Sequence, residues 1–238
     1  MIRLADSLDI DKGIPMNFKR ILLALIALTL ALSLCSCGGA KIKYDSKDGS
    51  YTDKKGNAYM RAPSAYEPVS YEADKTFGTL TAGIGEYDLY QIVGAGEGEW
   101  LTTVHGDVLY KSNTKLPTLA EFGTDGIYVC REGEKIHAFA NIQKSDDVAA
   151  ILKVYLEGES IPYPSRVATQ SLRLRFVSDE YPFLYYRLTY LEYSSDVIVY
   201  TTDADGQEIE TNYGKYFIYN RDDGRCVPAG DVVHTYIE

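Results

Sequence analysis

The chain has 238 residues, with 24 Lys plus Arg against 34 Asp plus Glu, and a formal net charge of −10 at pH 7. Its 45% hydrophobic and 24% charged residues are typical of a globular protein and exclude a disordered chain or a polytopic membrane protein. The negative charge argues against a sequence-independent nucleic-acid binder, because polyanions require clustered Lys and Arg. The 21 tyrosines favour strands.

The first chain feature is an uncharged apolar run from Ile21 to Leu34, preceded by Lys19 and Arg20. As a helix this run would reach about 21 Å, which is shorter than the roughly 30 Å hydrocarbon core of a bilayer. The run is therefore interpreted as the apolar region of a signal peptide. An uncleaved anchor helix and a buried hairpin strand are the alternatives.

The residues after this run, Leu34-Cys35-Ser36-Cys37, resemble the lipobox of bacterial lipoproteins. The resemblance covers residues 16–39 and implies cleavage after Ser36, with a diacylglyceryl group on the thiol of Cys37. Cys35 is the alternative lipidation site, although the large Leu34 would then lie at the cut. The chain also resembles small surface lipoproteins of Gram-positive bacteria, which implies a lipid-anchored protein on the extracytoplasmic face of the cell membrane, with the membrane as its first partner.

Acidic residues before the basic pair conflict with the positive start of an export signal. Met1 to Pro15 contains Asp6, Asp9 and Asp11, whereas a start at Met16 gives a short basic segment. We therefore expect residues 1–15 to be an artefact of start-site assignment and 16–36 to be the signal peptide. Residues 37–50 are then the lipidated cysteine and a polar tether. An N-terminal β-rich lobe over 51–142 and a second lobe over 143–238 follow, or one elongated domain.

The alternation of apolar and polar residues predicts an α+β fold made mainly of antiparallel sheet in hairpins and meanders. Leu172, Leu174 and Phe176 alternate with Arg173 and Arg175, so that one face should be buried and the other wet. Strands are predicted over these further ranges, among others: 87–93, 100–104, 108–111, 127–131, 135–141, 183–193, 197–202, 208–213, 215–219, 225–228 and 232–237.

One main helix is predicted from about residue 146 to 157, ending before Gly158. Val148, Ile151, Leu152 and Tyr155 form a single apolar stripe on it, suited to packing on a sheet.

Two cysteines remain after the anchor, Cys130 and Cys226. Outside the membrane they form either a disulfide or two separately buried thiols. Cys130 with His137 suggests a thiol nucleophile and base, but a position in mid-strand lacks the usual activating cation or helix terminus.

No residues form a recognised metal or cofactor motif, so we expect no catalytic set, metal or cofactor. His105, His137 and His234 stand outside metal-ligand spacings. Asp203 and Asp205 resemble the start of a calcium loop, but the later bidentate Glu is missing and a hairpin turn explains them.

A group of tyrosines close together in sequence is the candidate ligand platform. Asp179, Glu180 and Arg187 lie at its edge, and the alternative is that the rings are packing residues. The tyrosines of this platform are Tyr181, Tyr185, Tyr186, Tyr190 and Tyr193.

We expect a membrane-anchored, exported lipoprotein that acts as a non-catalytic binding or interaction module for a surface ligand or protein. Two alternatives stay open. One is an envelope hydrolase whose residues converge only in the fold, and the other is an inhibitor or regulatory lobe of cystatin-like architecture.

Overall fold

The computed structural model describes residues 39–47, 49–83, 85–131, 138–202 and 205–237. Over these residues the chain consists mainly of β-strands, which confirms the expected β-rich fold. The segment Ala40–Glu238 forms one compact unit. The signal peptide, Ser36 and Cys37 lie outside the described residues, so the predicted anchor stays a prediction.

The first half of the unit is a closed barrel of seven strands in the order β1-β2-β3-β8-β7-β6-β5. Its strands are β1 (Ala40–Asp45), β2 (Ser50–Asp53), β3 (Ala58–Arg61), β5 (Tyr71–Ala82), β6 (Gly85–Ile92), β7 (Trp100–Thr103) and β8 (Val108–Lys111), while β4 (Tyr66–Pro68) lies outside it. The interior is filled by Ile42, Tyr59, Leu80, Leu89, Leu101 and Leu109.

The barrel closes through a parallel pair, β1 with β5, in which Ala40 lies opposite Gly78. This pair was not expected, since the sequence predicted antiparallel hairpins alone. Alternation along a strand shows which face is buried but does not show which distant strand will pair with it.

The second half is a larger sheet in the order β10-β9-β11-β12-β15-β16, and all of its pairs are antiparallel. Its strands are β9 (Thr124–Arg131), β10 (Ala138–Ile142), β11 (Gln170–Ser178), β12 (Leu184–Glu192), β15 (Tyr216–Tyr219) and β16 (Cys226–Pro228). A separate two-stranded ribbon consists of β13 (Ile198–Thr202) and β14 (Glu208–Asn212).

Barrel and sheet are joined by β4, a strap between β3 and β5 that adds to the second sheet. Both β4 and β15 pair with the edge of β12 that β11 leaves open, β4 at residues 184–186 and β15 at 189–192. The strap therefore fixes the end of the barrel against the sheet by backbone hydrogen bonds.

The predicted helix is confirmed as α1 (Ser145–Glu157), which packs against β9 and β16. Val148, Ile151 and Tyr155 are buried beneath it. Three single-turn 3₁₀ helices lie at Leu119–Glu121, Gly230–Val232 and His234–Tyr236. The last two occupy the range predicted as a strand from 232 to 237, so that prediction was wrong.

The two sheets divide between Lys111 and Thr124, whereas the predicted lobe boundary lies near residue 143. Strands β9 and β10 precede that boundary, yet β9 pairs with β11 over seven residues. The second sheet thus draws on both sides of residue 143, because its neighbours are set by pairing and not by order along the chain.

In the second sheet, β11 packs its inner face into the main core. Over β12, β15 and β16 the outer face is buried as well, because Leu191, Phe217 and Cys226 form a second apolar cluster there. On β11 the inner face carries Leu172, Leu174 and Phe176, which are at most 1% exposed. The outer face carries Arg173 and Arg175, as the alternation predicted. Their side chains are only 24% and 11% exposed, so this face is polar but is not wet as expected.

Candidate functional site: an arginine-lined cleft

The structure does not gather the five predicted tyrosines into a surface platform. Tyr186 and Tyr190 are 9% and 0% exposed, because the period of two on β12 turns these even-numbered residues to the inner face. Tyr193, just after β12, is 1% exposed and packs edge-on against Phe217 in a separate apolar cluster. Tyr181 stacks on Phe122 with ring centroids 5.4 Å apart. Of the five, Tyr185 alone lines the cleft described below.

The remaining cysteines are free thiols, both buried. Cys130 lies on β9 and Cys226 on β16, four strand spacings apart in the sheet, or about 19 Å. A disulfide needs Cα atoms within roughly 7 Å, so the structure excludes the disulfide and supports two separate thiols. Burial raises the pKa of the Cys226 thiol to about 12. His137, the proposed partner of Cys130, lies outside the described residues.

A cavity of about 1040 Å³ opens where the β7–β8 turn and the β4 strap meet the outer face of the second sheet. Five of the ten arginines of the chain line it, and none of the lysines in the described part does. We call this cavity the arginine cleft; its arginines are Arg61, Arg173, Arg175, Arg187 and Arg221.

Three of these arginines converge on one carboxylate, that of Glu67 on β4. Arg173 Nη1 donates to Glu67 Oε1 at 3.3 Å, Arg187 Nη1 donates to the same oxygen at 2.8 Å, and Arg175 Nε donates to Oε2 at 2.8 Å. The Glu67 side chain is 14% exposed and the Arg175 side chain 11%. The cluster is thus mostly removed from water, where ion pairs are screened less than on the surface.

The register of the sheet brings these arginines together. Arg175 on β11 lies directly opposite Arg187 on β12, and Arg173 lies two residues before Arg175 on the same face. Like charges directly opposite one another destabilise a strand pair unless an anion lies between them. Glu67 supplies that anion from the strap.

The other two carboxylates of the cleft are held by other partners. Asp107 forms an ion pair with Arg61. Asp222 accepts hydrogen bonds from Ser64 N at 3.0 Å, Ser64 Oγ at 2.8 Å and Ala65 N at 2.7 Å. With five guanidiniums against three carboxylates, the cleft has a formal excess of two positive charges, in a chain whose net charge is −10.

One buried N–H donor of the cleft has no acceptor among the described residues. Each guanidinium carries five N–H donors, and the bonds to Glu67 use one from each arginine. The Nε atom of Arg173 is buried and has no hydrogen-bond partner within the described residues. A charged donor left in this state costs free energy until an acceptor reaches it.

Arg175 is held in place on three sides. Besides its bond to Glu67, its Nη1 donates to Cys130 Sγ at 3.9 Å, and its guanidinium lies 5.3 Å from the centre of the Tyr185 ring. Burial lowers the pKa of Arg175 and the Glu67 carboxylate raises it, with a net rise. Arg175 is therefore a fixed cation in the wall of the cleft.

A smaller cavity of about 410 Å³ adjoins the cleft and shares Val69 and Tyr185 with it. Asp179, predicted at the edge of the platform, lines it together with Asp125. The backbone N–H of Asp179 donates to Asp125 Oδ2 at 2.7 Å. Because two carboxylates line the smaller cavity, it is acidic, whereas the arginine cleft is basic.

The histidines are placed in different surroundings. His105 lines the arginine cleft, and His234 stacks on Tyr216 with ring centroids 4.3 Å apart. Within the described residues no group of three His, Cys, Asp or Glu side chains is arranged to hold a metal ion. Asp203 of the suggested calcium loop lies outside them. In the same part of the chain, no helix has the length and apolar character needed to span a bilayer.

From the sequence, Arg173 and Arg175 were expected on one polar face and Arg187 at the edge of a ligand platform, but no pattern connected the three. The signal in the sequence was the Leu-Arg-Leu-Arg-Phe alternation over 172–176. Nothing in the sequence around Glu67 marked it as the common partner, since it lies 106 residues before Arg173.

No protein-family model, curated protein or solved structure matches this chain. The residues of the cleft are therefore the basis of the function proposed below.

Proposed function

We propose that this protein is a non-catalytic binding module, anchored by a lipid on Cys37 at the extracytoplasmic face of the cell membrane, that takes its ligand in the arginine cleft. The observation that carries the proposal is the cluster of Arg173, Arg175 and Arg187 around the single carboxylate of Glu67. The volume of the arginine cleft, about 1040 Å³, is at the upper end of the range of small-molecule sites.

The cleft is built to keep its shape. Arg173, Arg175 and Arg187 lie on the paired strands β11 and β12 of the second sheet, and Glu67 lies on a strap that is hydrogen-bonded into the same sheet. A site on paired strands loses little freedom when a ligand binds, because its side chains are already positioned. This is the property expected of a binding module.

The charge of the exported part supports a covalent anchor. Removing residues 1–36 takes away four basic and three acidic side chains, which leaves 20 against 31 and a net charge of about −11. An anionic lipid surface repels such a domain, so electrostatic docking would not hold it at the membrane. Two acyl chains hold a protein stably at the membrane, whereas one chain binds only marginally.

The anchor is tested by replacing Cys37 with Ala in the producing cell. The expected result is loss of labelled palmitate and failure to process the precursor, with Cys35→Ala as the matched control that keeps both. Unchanged labelling and size of the Cys37→Ala protein would remove the anchor from the proposal.

The cleft is tested by thermal denaturation of the full chain in non-ionic detergent against a panel of carboxylates, phosphates, sulfates and neutral sugars. A binding module is expected to gain melting temperature with at least one class, and the gain should vanish in Arg187→Gln but persist in Arg131→Gln. Arg131 is the matched control because it is exposed on β9 and does not line the cleft. Absence of any such gain across the panel would contradict a ligand in the cleft.

A further inference from the structure

The charges of the cleft are incompletely balanced by the protein itself. Glu67 has two carboxylate oxygens, and three guanidiniums already donate to them. One negative charge among three mostly buried positive charges leaves two in excess, and the buried Nε of Arg173 still has no acceptor in the described part of the chain. The three arginines therefore have positive charge and a hydrogen-bond donor that a second anion can satisfy.

The chemistry of the donors limits the kind of anion. A carboxylate would bring one negative charge and two oxygens, which suits one guanidinium fork. A phosphate monoester brings close to two negative charges at pH 7 and three acceptor oxygens, which can accept from more than one guanidinium. All five cations of the cleft are arginines, whose planar fork matches phosphate geometry better than the ammonium of Lys.

We infer that the arginine cleft binds a phosphomonoester, with the phosphate received by Arg173, Arg175 and Arg187 and the organic group lying in the rest of the cavity. This inference rests on the proposed function and assigns the chemical class of its ligand. The remaining wall includes Pro63, Val69, Tyr71 and Val104, which offer apolar and aromatic surface. A phosphate alone would occupy a small part of the 1040 Å³, so the organic group contributes to binding.

Glu67 acts as a spacer in this arrangement. It holds the opposed side chains of Arg175 and Arg187 together while the cleft is empty of ligand, so the donors are positioned beforehand. Binding then needs no rearrangement of strands. The negative charge of the bound phosphate balances the two positive charges that Glu67 leaves uncompensated.

The test is isothermal titration of the full chain in non-ionic detergent with inorganic phosphate, glycerol phosphate, a short-chain phosphatidic acid and succinate. We expect both phosphomonoesters to bind more tightly than succinate. Tighter binding of phosphatidic acid than of glycerol phosphate assigns the source to a lipid headgroup, and the reverse assigns it to a soluble metabolite. Since the second phosphate pKa is about 6, affinity should rise between about pH 5 and pH 7 as the dianion forms.

Two substitutions of Arg173 test the geometry of the phosphate site. Arg173 makes the longest of the three hydrogen bonds to Glu67, at 3.3 Å. Arg173→Gln should weaken glycerol phosphate binding by roughly 10- to 100-fold, the range for losing a charge-assisted hydrogen bond. Arg173→Lys keeps the charge but loses the fork, and should fall between Arg173→Gln and the wild type. Arg131→Gln should bind as the wild type does.

The outcomes separate this inference from the proposed function. If succinate or a neutral sugar binds in the cleft and phosphate does not, or if Arg173→Gln leaves phosphate affinity unchanged, the phosphomonoester assignment is overturned while the binding module stands. If no class of ligand binds, both fail.

Discussion

Arg175 and Arg187 lie directly opposite each other on neighbouring strands, and both donate to Glu67 at 2.8 Å. Two cations in this position would push β11 and β12 apart without the carboxylate between them. Because Glu67 lies on the strap that links β3 to β5, the same ion cluster that shapes the cleft also fastens the barrel to the second sheet.

The first prediction concerns that cluster. Glu67→Gln should destabilise the protein by about 3 kcal/mol in phosphate-free buffer, because removing one partner of a buried ion cluster leaves uncompensated charge. Urea denaturation followed by circular dichroism measures the change. Glu72→Gln, at an exposed position of β5, is the matched control and should change stability by less than about 0.5 kcal/mol. Equal stability of the two variants would contradict a structural role for the cluster.

The second prediction concerns the closure of the barrel. A Cβ atom at Gly78 would overlap the backbone carbonyl of Ala40 at the parallel β1–β5 pair, and neither group can move without separating the strands. Gly78→Ala should therefore destabilise by at least about 2 kcal/mol and speed amide exchange in β1. Thr81→Ala, three residues along β5 and exposed, is its control. Native-like exchange in Gly78→Ala would show that the pair tolerates a side chain.

The third prediction concerns the two thiols, studied in a variant with Ser at positions 35 and 37. Both Cys130 and Cys226 should resist alkylation in the native protein and react fully after unfolding in urea. Burial removes reagent access, and the raised pKa of Cys226 keeps that thiol protonated. Mass spectrometry counts the added groups, with and without reductant. A mass that depends on reductant would show that the two sulfurs pair after all.

The fourth prediction is a loss of stability in alkali. Burial raises the pKa of Tyr66, Tyr155 and Tyr190 above the ordinary value of 10.0. These hydroxyls ionise at lower pH in the unfolded chain than in the fold. The unfolded state therefore binds fewer protons above pH 10, and stability falls there while it is unaffected below. Each group contributes up to roughly 1.4 kcal/mol per pH unit.

Tyr66→Phe tests this sign. It removes the hydrogen bond to the Pro117 carbonyl, which costs about 1 kcal/mol at neutral pH, and it should make the alkaline decline less steep. Tyr44→Phe, at a 46% exposed position, should leave the decline as it is in the wild type. Urea denaturation at several alkaline pH values gives the slope of the unfolding free energy against pH. Equal slopes for the wild type and both variants would show that Tyr66 has the same pKa in the folded and unfolded protein.

Several local features were predictable because each depends on a short stretch of chain. The helix Ser145–Glu157 follows from one apolar stripe with a period near 3.6, and the inner and outer faces of β11 follow from strict alternation over 172–176. The tyrosine platform was wrong for a related reason. Its members were grouped by nearness in sequence, whereas alternation sends Tyr185 and Tyr186 to opposite faces of the sheet.

The sequence by itself determined the composition and charge of the protein, its strand-rich character, the helix Ser145–Glu157 and the polar outer face of Arg173 and Arg175. Only the tertiary structure decided that β1 closes a barrel against β5 and that Glu67 meets three arginines more than 100 residues away. Strand pairing is set by which distant edges satisfy each other's hydrogen bonds while burying the inner faces. That competition involves the whole chain, so no local pattern reveals its outcome.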